Sequence, residues 1–155
     1  MKTKSFFIFL FFLLLSFSAG WIGGHATFPS IPTWYAQLHK PRFNPPNAVF
    51  GPTWTVLYIM MAVAAWRVWK KVGIYHRALA FYFLQLMANT LWSIFFFEWH
   101  RPDIALLDIL VLWILIGATF LNFWKIDRQA GFLFIPYWLW VSFAAFLNYS
   151  IWELN

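Results

Sequence analysis

Five apolar stretches of about twenty residues, long enough to span a bilayer, take up most of this chain and limit its fold more than any other feature. They cover about 6–26, 47–69, 77–97, 102–124 and 131–152. In hydrocarbon every backbone N–H and C=O must be paired within the protein, and a helix achieves this inside a single segment. Charged residues are only 10% of the sequence and hydrophobic ones 63%, far from the roughly 25% charged residues of a soluble domain. The expected fold is an all-α integral membrane protein: one five-transmembrane-helix bundle over residues 1–155, with no second domain.

The first stretch follows Lys2 and Lys4 and, up to Ser16-Phe17-Ser18, has the look of a cleavable signal. Its apolar character continues through Trp21 and Ile22, so a retained span is expected. Ser16, Gly20 and Gly24 recur every fourth position there, a stripe that lets another helix approach closely. The formal charge of +6 is explained by anchoring at span ends, without nucleic acid. Lys2, Lys4, Arg67, Lys70, Lys71, Arg77, Lys125 and Arg128 fall on one side, and Lys40, Arg42 and Arg101 on the other. Eight against three leads one to expect the amino terminus in the cytoplasm.

Between the first two spans lies a connection from about Phe28 to Pro46, longer than two neighbouring helices need. Trp34 to Tyr58 holds four of the eight prolines, Pro41, Pro45, Pro46 and Pro52, beside Lys40 and Arg42. Proline fixes φ, removes a donor and drives its predecessor toward extended geometry. Pro41 to Pro46 is therefore expected to be a stiff, non-helical lid over a cavity.

Polar groups inside the spans are costly in hydrocarbon and should face the bundle interior. Gln85, Asn89 and Trp92 share one helix face, as do Trp54, Tyr58 and Met61. Asp108 lies on a stripe with Leu115, Thr119 and Asn122; Trp140, Ala144 and Leu147 form another, with Asn148 beside them. These four stripes are expected to line one pocket, with Asn89 and the indoles as neutral donors. Asp108 has a second reading, a carboxylate near the headgroups steadied by the helix dipole.

Conventional catalysis finds no support. The spans hold no carboxylate pair, and there is no glycine-rich phosphate loop, no cysteine and no metal-ligand spacing among the four histidines. A haem iron would find one lone histidine at most. An aromatic cavity beneath a lid bearing Lys40 and Arg42 suits a flat, mostly apolar ligand with one anionic edge.

Several blocks together carry a resemblance. They are Trp34-Tyr35, Leu38, Lys40-Pro41, Pro45-Pro46, Phe50, Pro52, Trp54 and Leu57-Tyr58; Gln85-Leu86 through Asn89, Trp92 and Phe95-Phe96; Ala105-Leu106 with Asp108; and Pro136-Tyr137, Trp140, Phe143-Ala144 and Leu147-Asn148-Tyr149. In order and spacing the chain resembles the TspO/MBR family, the tryptophan-rich sensory proteins related to the mitochondrial translocator protein, or peripheral benzodiazepine receptor. That resemblance implies a homodimeric membrane receptor that binds protoporphyrin IX or a related tetrapyrrole, haem in some members, and cholesterol or benzodiazepine-type drugs in others. Membrane lipid is the other expected partner, and no cofactor is required.

Carried over by position, the family's ligand pocket falls on Tyr35, Pro45, Trp54, Asn89, Trp92, Trp140, Ala144 and Leu147. Tyr58, Phe96, Asp108 and Asn148 complete the candidate set, with Lys40 and Arg42 as contacts for an anionic edge. Trp54 and Trp140 match the tryptophans tied to light-dependent porphyrin breakdown in bacterial relatives. The main expectation is a receptor or sensor of tetrapyrroles that adjusts porphyrin metabolism or transport. The alternatives are a light- and oxygen-dependent porphyrin-degrading enzyme using Trp54 and Trp140, and a sterol-binding translocator. For the last, the animal sterol motif asks for a basic residue where this chain has Glu153.

Overall fold

The computed structural model describes residues 2–155, with the side chain of Lys2 outside that description. Five long helices form it: α1 (Lys2–Thr27), α3 (Asn47–Val72), α4 (Arg77–Ser93), α5 (Pro102–Ile126) and α6 (Arg128–Leu154). A single helical turn, α2 (Trp34–Gln37), interrupts the first connection, and a π-helical turn, Ile94–Glu98, extends α4. All five long helices are long and apolar enough to cross a membrane. Their outward rows are apolar too: Leu107, Ile114 and Leu139 are each more than 60% exposed. Such a surface is stable against lipid chains and unstable against water.

The helices are arranged as a ring in the order α1, α3, α6, α5, α4, each touching the next. The core at their centre is built from Met61, Ala62, Ala65, Leu79, Ile109, Ile116, Phe134 and Tyr137. Small residues set the distance between α1 and its neighbours. A Cβ on Gly20 would lie 2.5 Å from Tyr58 Cε2, and one on Gly23 would lie 2.9 Å from Ser93 Oγ. Ser16 Oγ and Tyr82 Oη are 2.8 Å apart, bonded in the interior. The small-residue stripe of the first span is therefore used within this bundle. Gly20→Ala is expected to displace the Tyr58 ring and cost about 1–3 kcal/mol, as overpacking does, read as a lowered unfolding temperature in detergent.

Two helix ends differ from the sequence expectation, each for a local reason. α6 begins at Arg128 and not near Gly131, because Asp127 caps it by accepting the Ala130 N–H at 3.0 Å. Asp127 also accepts from Arg67 Nη2 at 3.0 Å, pairs with Lys71 Nζ at 3.0 Å and is only 4% exposed. It thus ties the end of α3 to the α5–α6 junction. At the other end of the bundle, α4 loosens into the π turn, where the Trp99 N–H reaches back five residues to Ile94 O at 2.9 Å. His100 then ends the segment in the left-handed region, at φ 54°.

The first connection is held by specific contacts. Ser30 Oγ donates to Phe97 O at 2.5 Å, and the Tyr35 N–H donates to Ser30 O at 2.8 Å. Trp34 stacks on His100 with centroids 4.4 Å apart, and Phe43 stacks on Phe146 at 5.1 Å. The Asn155 side chain pairs with both backbone groups of His39, donating to its O at 3.0 Å and accepting from its N–H at 2.9 Å.

Candidate functional site

A cavity of about 480 Å³ lies at the loop end of the bundle, within the size range of small-molecule sites. Trp54, Tyr58 and Phe50 line it from α3; Asn89, Trp92, Phe96 and Phe97 from α4 and its π turn; and Ala144, Leu147, Asn148 and Ile151 from α6. Tyr35 comes from α2. The π turn explains how the consecutive residues Phe96 and Phe97 both reach the wall: the widened turn brings rings 4.8 Å apart to one side.

The wall is mostly ring faces. Trp54 lies against Tyr58 with centroids 5.5 Å apart and planes 26° from parallel, and Trp92 stacks on Phe96 at 5.4 Å and 26°. The buried amides and the Tyr58 hydroxyl are already paired. Tyr58 Oη donates to Asn89 Oδ1 at 2.9 Å, Asn89 Nδ2 to Tyr137 Oη at 3.1 Å, and Tyr137 Oη to Gln85 Oε1 at 2.8 Å. Trp92 Nε1 donates to Asn148 Oδ1 at 2.9 Å, and Asn148 Nδ2 to Pro102 O at 2.8 Å. The sequence leads one to expect Asn89 and the Trp92 indole as donors for a ligand; the structure uses them as bolts between α3, α4 and α6. A buried polar group left unpaired would cost about 1–3 kcal/mol.

Of the sequence-derived candidates, Tyr35, Trp54, Tyr58, Asn89, Trp92, Phe96, Ala144, Leu147 and Asn148 come together in this wall. Pro45, Asp108, Trp140, Lys40 and Arg42 are not in it. Trp140 stands one ring back, edge-on to Phe50 at 5.8 Å. Pro45 is half-buried in the first connection, its carbonyl accepting from Asn44 Nδ2 at 3.2 Å. Lys40 Nζ lies 4.6 Å from the centroid of the Tyr35 ring and donates to Leu38 O at 3.3 Å, while Arg42 is exposed. Tyr35 Oη donates to Asn44 Oδ1 at 3.0 Å; burial raises its pKa, the Asn44 bond opposes that rise, and the phenol is a neutral donor.

The α5 stripe is a correction. Among the described residues, none of α5 reaches the wall. Thr119 Oγ1 and Asn122 Nδ2 instead bond back to Leu115 O at 2.7 Å and Ala118 O at 2.8 Å on their own helix. Asp108 keeps Oδ2 buried without a protein partner.

What sequence reasoning missed is the share of α1 and the segment after it: Phe17, Gly20, Trp21, Gly23, Gly24, Thr27, Phe28 and Ile31 all line the cavity. The available signal was the spacing of Phe17, Gly20, Trp21, Gly24 and Phe28, which puts them on one helical face.

Comparison with known proteins fits this architecture. The family model described as TspO/MBR family matches residues 11–153. The tryptophan-rich sensory protein of Cereibacter sphaeroides is 44% identical over 122 residues, 79% of this chain and 77% of its own. The tryptophan-rich protein TspO of Chlorobaculum tepidum is 40% identical over 146 residues, 91% of either chain. The human translocator protein is 35% identical over 126 residues, 79% of this chain and 75% of its own. With a matching family model over nearly its whole length and relatives of this similarity, this five-helix membrane protein belongs to the TspO/MBR family.

Proposed function

We propose that the chain is a membrane sensor or translocator that holds a tetrapyrrole, protoporphyrin IX or a close relative, in the cavity beneath its first connection. The observation that carries this reading is the wall itself: about 480 Å³ lined largely by aromatic faces, with its buried Asn89, Tyr58 and Asn148 side chains already hydrogen-bonded. Such a wall favours a flat apolar ring over a hydrogen-bonding substrate. None of the four histidines stands in the wall, so the ring is held by its faces and its edge. Lys40, packed on Tyr35, and exposed Arg42 would meet carboxylates projecting past Tyr35. The first connection then acts as the lid, on the side away from the cytoplasm that the Lys and Arg distribution supports.

Titration of the purified protein with protoporphyrin IX, followed by tryptophan quenching, is expected to saturate. Trp54→Leu removes a stacking face and is expected to weaken binding about tenfold, the scale of one aromatic pair. Absence of saturation in the wild type overturns the reading. A Lys40→Gln/Arg42→Gln variant is expected to weaken protoporphyrin IX more than its neutral dimethyl ester; equal loss shows that the loop does not read charge. Trp140→Phe is expected to leave affinity within about threefold, because Trp140 is not part of the cavity wall and meets it only edge-on at Phe50.

A further inference from the structure

The cavity wall has a gap on one side. α1 and α3 touch at Gly20 and Tyr58, where a Cβ would be only 2.5 Å from the ring. One turn nearer the first connection they have parted: the atoms nearest a Cβ on Gly24 all belong to Phe28, and a Cβ on Gly51 would meet nothing within 4 Å. The residues on both banks of this gap are cavity wall and outer surface at once. Trp21 is 67% exposed and Phe28 73%, and Gly51 and Thr55 are exposed opposite them. A residue that belongs to both surfaces marks a mouth.

By contrast, the way in from beneath the first connection is crossed by contacts: the Phe43–Phe146 stack, the Asn155–His39 pairing and the Ser30–Phe97 bond. The outer face around the gap is apolar, with Ile22, Val56 and Ile59 all more than 40% exposed. Such a face suits lipid better than water. Trp21 and Gly51 lie within about 10 Å of their helix ends at 1.5 Å per residue, the level at which amphipathic rings rest in a bilayer.

We infer that a ligand dissolved in the bilayer reaches the cavity sideways, through this slot between the loop-side ends of α1 and α3. The inference rests on the ligand-binding role proposed above and adds its route. A flat ring with one charged edge sits at that depth before it binds, so the slot selects membrane-partitioned amphiphiles over water-dissolved ones.

Gly51 supplies the test, because a side chain there meets open space and replaces a helical glycine without strain. Wild type, Gly51→Phe and Asn155→Ala are placed in liposomes, and protoporphyrin IX is delivered from donor vesicles while its fluorescence is followed. Gly51→Phe is expected to slow association and dissociation alike by about tenfold, while Asn155→Ala keeps wild-type rates. The wild-type rate should follow probe per lipid, not probe per volume. Wild-type rates in Gly51→Phe, or faster exchange in Asn155→Ala, overturn the slot and leave the binding role standing. Loss of equilibrium affinity in Gly51→Phe makes Gly51 part of the seat and also overturns the slot. Failure of the wild type to bind overturns both.

Discussion

Asp127→Ala is expected to lower stability in detergent by about 2–4 kcal/mol at neutral pH, the range for breaking a largely buried ion pair whose partners keep some water. The carboxylate is 4% exposed, while the side chains of Arg67 and Lys71 are 29% and 52% exposed. Removing it strands two cations beside the α5–α6 junction and uncaps α6 at Ala130. Asp127→Asn separates the two effects. An amide still caps a helix, so it should recover about 1 kcal/mol of the loss and no more. Burial works against ionisation here, but the Ala130 N–H, Lys71 and Arg67 outweigh it and hold the carboxyl at about 2. Because this lies below the unfolded value of about 4, the contribution is complete above that value and disappears as pH falls through about 2. Unfolding curves of wild type and Asp127→Asn should therefore converge across that acid window. Curves that stay parallel would show that the charge contributes nothing to stability.

The same cluster shows where sequence reading stops. Arg67 and Lys71 look like headgroup anchors at a span exit, because nothing local says that Asp127, about sixty positions on, will fold against them. The five spans themselves are legible, since hydrocarbon leaves a long apolar segment one way to pair its backbone. The polar stripes of α3, α4 and α6 are legible for the same reason: Tyr58, Asn89, Trp92 and Asn148 have no inexpensive place except the interior. Polarity misleads on α5, where Thr119 and Asn122 satisfy themselves on their own helix and need no pocket. It is silent on α1, whose contribution is glycine and ring surface without a polar group to mark it. Gly20 and Gly24 signal close approach, but only the structure shows contact at the first and a gap beside the second.

Asn89→Leu is expected to affect fold and site together. Asn89 is the middle of the chain from Tyr58 through Tyr137 to Gln85, joining α3, α4 and α6. Leucine keeps most of the volume but removes the acceptor for the Tyr58 hydroxyl and a donor to Tyr137. Tyr137 retains Gln85, whereas the buried Tyr58 Oη loses its bond to Asn89. The cost should be about 1–3 kcal/mol, that of one buried unpaired hydroxyl. Tyr58 carries Trp54 on its face and forms one side of the cavity, so a loosened ring should also weaken protoporphyrin IX binding by at least about threefold, for a loss of about 0.7 kcal/mol. Adding Tyr58→Phe distinguishes a network from a simple volume effect. With the stranded hydroxyl gone, Tyr58→Phe/Asn89→Leu should be more stable than Asn89→Leu alone, a coupling that a double-mutant cycle reads directly. If the two losses simply add, the bond between these side chains does not hold α3 to α4, and the shape of the cavity rests on ring packing alone.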